Sequence, residues 1–260
     1  MDALPVATLL VEIIRFWGGL GILTGQVLRE TFKGKIYWKL VLEQIYQVGY
    51  RSLPLILITS GSIGMVMALQ FGLGLEKFGG KLYVPKLVAA TILREIGPMF
   101  TSLMFAARIG AGMASEIGSM MVTQQIDAIR ALGTSPIKKI VIPRVLACLF
   151  ALPVLVAFAN IIGNLGSLLV GATELNLDPH FFYLKIMSTA SIDDYLSGFG
   201  KTFFFAIFVS LPSCYFGLNV KNGAKEVGIA TTKAVVVSSI LILVGDFFLS
   251  KVFWMIAKWV

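Results

Sequence analysis

Hydrophobic positions along this chain gather into runs rather than alternating. Five runs are long enough to cross a bilayer, at about 52–73, 86–110, 144–172, 198–218 and 231–257. A hydrocarbon core of about 30 Å needs about 20 helical residues. Inside lipid a chain must satisfy its own backbone polar groups, so the runs predict helices. The two-residue alternation of barrel strands is missing. The first fifty residues differ. Leu4–Leu28 is apolar but broken by Glu12, Arg15 and the pair Gly18–Gly19. Ile36–Tyr50 mixes Tyr37, Trp38, Leu40, Val41, Ile45 and Tyr46 with Lys39, Glu43 and Gln44. Both pieces predict amphipathic helices lying in the interface, and a sixth span at 4–28 stays open. The expected fold is an all-α integral membrane protein. It has an interfacial unit at 1–50 and one membrane domain at 51–260.

Composition agrees. The chain is 57% hydrophobic and 14% charged, against roughly half and a quarter in soluble domains. Its mean hydropathy is +0.86. The net charge of +8 is not arranged as a basic stripe with interleaved aromatics, so nucleic acid is not an expected partner. The positive residues fall between apolar runs instead. Arg15, Arg29, Lys33, Lys35, Lys39 and Arg51 precede the first span, and Arg108, Arg130, Lys138, Lys139 and Arg144 surround the connection after the second. Lys221, Lys225 and Lys233 lie between the last two. The positive-inside rule makes these segments cytoplasmic. The loop at 173–197 is acid-rich and falls outside, while Lys77, Lys81 and Lys86 in the first outer connection break the rule. The N-terminus lacks the basic region of a cleavable signal. Cys148 and Cys214 lie within apolar runs and read as small buried hydrophobes.

Several constellations go beyond anchoring. Ala106, Gly110, Ala114 and Gly118 recur every four residues, with Ala107, Ala111, Ser115 and Ser119 beside them. Such spacing lets helices approach closely, within a bundle or between copies. Gly163, Ser167 and Gly171 form a second stripe. Arg94 and Glu95 lie inside a span, where ionisable groups face a cavity or a partner. Neighbours on a helix point about 100° apart, so the two need not pair with each other. Pro98 follows and can open the local ladder. Asp246 is also within a span, either as a proton relay or as a hydrogen bond to another helix. Asn160 and Asn164 are one turn apart and read as glue between helices. In the segment 115–143, Thr123–Leu132 predicts a short polar helix exposing Gln124, Gln125, Asp127 and Arg130. Gly133 ends it and Pro136 starts the next turn.

Catalytic and nucleotide motifs fail on inspection. Gly200-Lys201-Thr202 looks like the end of a phosphate loop, but Tyr195 stands where the loop needs its first glycine, and the context is a span. Gly110-Ala111-Gly112 lacks a third glycine because position 115 is Ser, and Gly79-Gly80-Lys81 is followed by Leu82. His180 is the single histidine, so no histidine-rich metal site is expected and any histidine base would have to be this residue.

The blocks LREIGP (93–98), AARIGAGMASEIGSM (106–120), TQQIDAI (123–129), PIKKIVIPR (136–144) and GIATTKAVVVSS (228–239) resemble the MlaE (YrbE) family of ABC-transporter permeases. The resemblance runs from about residue 40 to the C-terminus. It implies a non-enzymatic, homodimeric, multi-pass permease of the bacterial inner membrane. That permease would move phospholipid between inner and outer membranes and so maintain outer-membrane lipid asymmetry. ATP and Mg would be bound by a separate ABC ATPase, not by this chain. An MCE-domain periplasmic protein and a small STAS-like protein are the further partners implied. Carried onto this sequence, the lipid cavity would involve Met67, Gln70, Phe71, Phe78, Arg94 and Glu95. Coupling to the ATPase would involve Glu116, Gln124, Gln125, Asp127 and Arg130. The family commonly has Glu where Gln124 stands and Asp where Ser135 stands, so two acids of the docking segment are missing here. A permease for a small polar solute, a non-transport scaffold and a membrane-embedded acyltransferase are the alternatives.

Overall fold

The computed structural model describes residues 3–33, 36–221 and 223–259. Among them every regular element is helical. Helix α1 spans Ala3–Lys33 and α2 spans Trp38–Val48. A three-residue 3-10 turn then leads into α3, Leu53–Glu76. The second long rod is built from α4 (Val84–Thr91), α5 (Gly97–Phe105) and α6 (Ala111–Val122). π turns at Ile92–Ile96 and Ala106–Gly110 join its pieces. Short helix α7 (Gln125–Ala131) follows, then a third π turn, Ile137–Val141, and α8 (Ile142–Thr173). The chain finishes with α9 (Pro179–Thr189), α10 (Ile192–Leu218) and α11 (Gly223–Trp259). Five helical rods are long and apolar enough to cross a membrane: Trp38–Glu76, Lys81–Val122, Ile137–Thr173, Asp194–Leu218 and Gly223–Ile256. They contain the five runs that the hydrophobic pattern predicts.

Glycine sets how closely the rods approach. Along the α2–α3 rod and α8, Gly49 at the end of α2 lies near Ala151, Gly64 abuts the Gly163 carbonyl, Gly166 abuts Gly61, and Gly72 packs on Leu175 just past α8. The order of these contacts makes α3 and α8 run parallel. A Cβ on Gly64 would overlap the Gly163 carbonyl oxygen, which is backbone and cannot swing aside. Gly64→Ala should therefore lower the melting temperature in detergent by forcing the helices apart, at a cost of roughly 1–3 kcal/mol. Gly112, with nothing within 4 Å of its virtual Cβ, is the control. Gly112→Ala should be neutral or stabilising by up to about 1 kcal/mol.

The small-residue stripe of the second rod packs inside the chain. Ala106, Gly110, Ala114 and Gly118 are all buried. Gly110 faces Ser213 and Val209 of α10, and Gly118 faces Val220 and Val227. The parallel row keeps Ala107 and Ser119 exposed. Cys148 and Cys214 are buried free thiols, as expected of small apolar side chains. The two asparagines differ: Asn160 sets its side-chain oxygen against Gly97 of the second rod, whereas Asn164 bonds within its own helix. Asn164 Nδ2 donates to the Asn160 carbonyl within α8 itself, at 2.8 Å. The i to i+4 spacing that suggested a shared face also favours this local bond.

Helix α1 docks at the basic end of the bundle. Leu23 and Val27 are buried in a cluster with Ile117, Ile126, Ile140, Val141, Val145 and Leu211. Phe16 stacks on Phe216 at 5.3 Å between centroids. Val11, Ile14, Trp17, Ile22 and Phe32 stay exposed, which leaves one face of α1 apolar and open. At the opposite end, α9 inserts Phe182 against Gly171 in a cluster with Ala89 and Ile186. There Lys81, one of the residues that break the charge rule, is paired with Glu76 at 2.7 Å.

Candidate functional site

The π turn Ile92–Ile96 is where the second rod meets α10 and α11. A π turn widens the helix by one residue and re-aims the side chains around it, and such turns recur at functional sites. Here Arg94 and Glu95 diverge to different partners. Arg94 Nε and Nη2 both reach Asp194 Oδ1 at 2.6 Å. Asp194 is held near the start of α10, where Ser191 caps the helix by accepting from the Asp194 backbone N–H at 3.2 Å. Glu95 turns the other way, to Lys201 Nζ at 2.6 Å.

Lys201 is the centre of this arrangement and is completely buried. Its ammonium also donates to Ser250 Oγ at 2.6 Å, Asp246 Oδ1 at 3.2 Å and the Arg94 carbonyl at 3.1 Å. Ser250 in turn donates to Glu95 Oε2 at 3.0 Å. One cation and two carboxylates thus tie the second, fourth and fifth spans together. Burying an ion is expensive unless partners and hydrogen bonds surround it, and Lys201 is surrounded. Glu95 and Arg94 remain partly open, with side chains 42% and 55% exposed. The cluster therefore has a buried root and a charged mouth.

Lys201 is the functional residue that sequence reasoning missed. It was set aside with the false phosphate loop, although a lysine well inside an apolar run is itself a signal. Asp246 makes the interhelical hydrogen bond that was one of its two readings. Its fellow acid, Glu95, comes from another rod and so was invisible to helical spacing.

The other cavity residues lie at a different level. Met67 and Phe71 are partly buried against a cluster of Ala68, Val84, Val88, Ile92, Val170 and Leu175. Gln70 is exposed, and Phe78 in the α3–α4 connection is 86% exposed. Opposite the π turn, α3 presents Thr59, Ser60 and Ile63 to Ile92 and Ile96. The crevice between them measures about 10 Å³, room for one water at most. Met67, Gln70 and Phe71 thus lie toward the outer end of α3 from the level of Arg94 and Glu95. A crevice of that size has no space for an acyl chain.

The connection between the second and third spans forms the second part of the site. Gln124 adopts a left-handed conformation with φ 57°, so the helix begins at Gln125 rather than Thr123. Gly133, with φ 72°, ends it, and Pro136 leads into the π turn. Gln124, Gln125, Asp127 and Arg130 are exposed as expected. Asp127 pairs with Arg130 at 2.9 Å, a surface pair of little intrinsic strength that a partner can exchange. Glu116 is engaged within the chain. Its carboxylate meets the buried Arg144 Nη2 at 2.8 Å, which fixes the entry of α8 while leaving Glu116 half-exposed. Ile126 points inward and is fully buried, pegging the short helix to the bundle. Among the described residues no cluster of three His, Cys, Asp or Glu side chains could hold a metal ion.

These features define a multi-pass helical membrane protein with a charged intramembrane cluster and an exposed helix between its second and third spans. The family profile described as Permease MlaE matches residues 41–252, and the chain belongs to that family. A probable ABC transporter permease protein of Rickettsia conorii is 36% identical over 94% of both chains. The intermembrane phospholipid transport system permease protein MlaE of Haemophilus influenzae is 32% identical over 93% of this chain and 94% of its own. The chloroplast protein trigalactosyldiacylglycerol 1 of Arabidopsis thaliana is 34% identical over 92% of this chain and 69% of its own. The chain is an ABC-transporter permease, a membrane subunit of a class that works with an ATPase partner.

Proposed function

We propose that this permease moves phospholipid between the inner and outer membranes of a bacterium, maintaining outer-membrane lipid asymmetry from a site in the inner membrane. It works as a homodimer. Two ABC ATPase subunits, which bind ATP and Mg, dock on segment 115–143. An MCE-domain periplasmic protein exchanges lipid with it, and a small STAS-like protein joins the ATPase. The observation that carries the lipid reading is the half-open Arg94–Glu95 mouth beside the apolar faces of the first two spans. Arg94 suits a phosphate that takes the place of Asp194 on its guanidinium fork, and the apolar faces suit acyl chains. The Haemophilus relative, by name a permease of intermembrane phospholipid transport, supports the same cargo. Met67, Gln70, Phe71 and Phe78 extend this wall toward the outer end. The apolar character of these two spans argues against a small polar solute.

The test is the permease reconstituted with its ATPase in proteoliposomes, measuring phospholipid transfer and lipid-stimulated ATP hydrolysis. The double variant Arg94→Ala/Glu95→Ala should lower both by about tenfold or more, the loss of a charge-assisted contact of roughly 1.5–3 kcal/mol. Unchanged rates would remove these residues from the lipid path.

A further inference from the structure

At the basic end, α1 and the turn after α7 enclose a cleft of about 410 Å³. Arg29, Glu30, Tyr37, Thr134, Ser135 and Lys138 line it. It is far in sequence from the Arg94–Lys201 cluster and shares no residue with it. Ser135 Oγ lies 2.8 Å from both Glu30 carboxylate oxygens, so the acid is engaged and turned toward the cleft wall. An aspartate at 135 would instead set a second carboxylate against Glu30. Neither Arg29 nor Lys138 makes an ion pair among the described residues. The lining therefore carries two cations against the single carboxylate of Glu30, with hydroxyls from Tyr37 and Thr134 beside them. Apolar side chains stand exposed next to this polar pocket: Phe32 at 85% and Leu132 at 81%. Phe32 belongs to the exposed apolar face of α1. A soluble anion needs only the cations and hydroxyls, whereas the adjoining apolar groups suit a molecule with an acyl tail.

We infer that this cleft binds the phosphate headgroup of an anionic phospholipid from the adjacent leaflet, at a site separate from the transport path. Such a lipid would bridge α1 and the α7–α8 turn, and so would tie the surface proposed for the ATPase to the charge of the membrane. The inference rests on the sidedness read from the charge pattern but not on the nature of the cargo. It stands or falls independently of the Arg94–Glu95 assignment.

The test uses the full chain in nanodiscs of phosphatidylcholine with phosphatidylglycerol, released into mild detergent and weighed intact to count retained lipids of each kind. Wild-type chain should keep phosphatidylglycerol in preference to phosphatidylcholine. Arg29→Gln/Lys138→Gln should weaken that preference about thirtyfold, from roughly 1 kcal/mol per cation near a surface. Arg29→Lys/Lys138→Arg, which keeps both charges, should retain it. Equal retention of the two lipids by wild type, or a preference untouched by the double Gln variant, would overturn the site. Displacement of the bound lipid by millimolar inorganic phosphate would overturn the lipid assignment in favour of a soluble anion.

Discussion

Lys201→Met will be among the most damaging single changes in this protein. The ammonium is fully buried and holds Glu95, Asp246, Ser250 and the Arg94 carbonyl. Methionine matches its length and apolar stem but leaves two carboxylates facing each other without a cation. Removing one partner of a buried ionic group costs about 3–5 kcal/mol, because the remaining charge stays uncompensated. The expected result is a sharp fall in melting temperature in detergent, broadened size-exclusion profiles and no transport. The triple variant Lys201→Met/Glu95→Gln/Asp246→Asn should recover much of the stability, since an uncharged cluster needs no cation, while transport stays low. Asp246→Asn alone should be mild in stability because the Lys201–Glu95 pair remains balanced. A Lys201→Met protein as stable as wild type would show that the cluster does not hold the three spans together.

Ile126→Asp is the second large effect, and it should strike a different property. Ile126 is fully buried among Leu23 and Val27 of α1, Ile117 of α6, and Ile140 and Val141 of the third π turn. Even truncation to alanine would remove about 2–5 kcal/mol of packing at such a site. An aspartate adds an unpaired buried charge and will expel the short helix from its seat. The core around Phe105, Leu152 and Phe205 does not include this residue, so the five spans should remain assembled. Trypsin should then cut faster after Arg130 and Lys138, and ATP hydrolysis by the docked partner should no longer respond to lipid. Gln125→Ala, on the exposed side of the same helix, should leave proteolysis unchanged. If Ile126→Asp melts the entire protein in one step, α7 is part of the global fold rather than a docked element.

The five rods, the short exposed helix and its Gly133 terminus were legible because each depends on local composition. Apolar run length fixes a span, and glycine in a left-handed turn fixes an end. What stayed hidden was pairing across rods. Arg94 and Asp194 are 100 positions apart, and Lys201 and Ser250 are 49 apart, so neither helical periodicity nor spacing can join them. The π turns were hidden for another reason. They arise where packing asks for one extra residue in a helix, and only Pro98 hinted at the first of them. Glu116 shows a third limit. Its exposure and position suit a docking residue, yet a buried arginine at the start of α8 captures it, and that arginine's burial depends on the whole bundle.

The length of the second rod has a mechanical consequence. From Lys81 to Val122 it is helical almost throughout, 42 residues, or roughly 60 Å at 1.5 Å per residue. That is about twice the thickness of the hydrocarbon core. The charged π turn lies in its outer part, and roughly 40 Å of helix separates Arg94 from Val122. A rod pinned near the ion cluster and moving as one piece would act as a lever, its far tip at the short helix that precedes α8. A tilt of about 10° around Ile92–Ile96 would carry that tip through roughly 7 Å, by the same rise per residue. Displacements too small to open a path at the mouth are thus large at the opposite membrane surface. In the reverse direction, a displacement of several ångströms at the tip would arrive at Arg94 as a fine adjustment of angle.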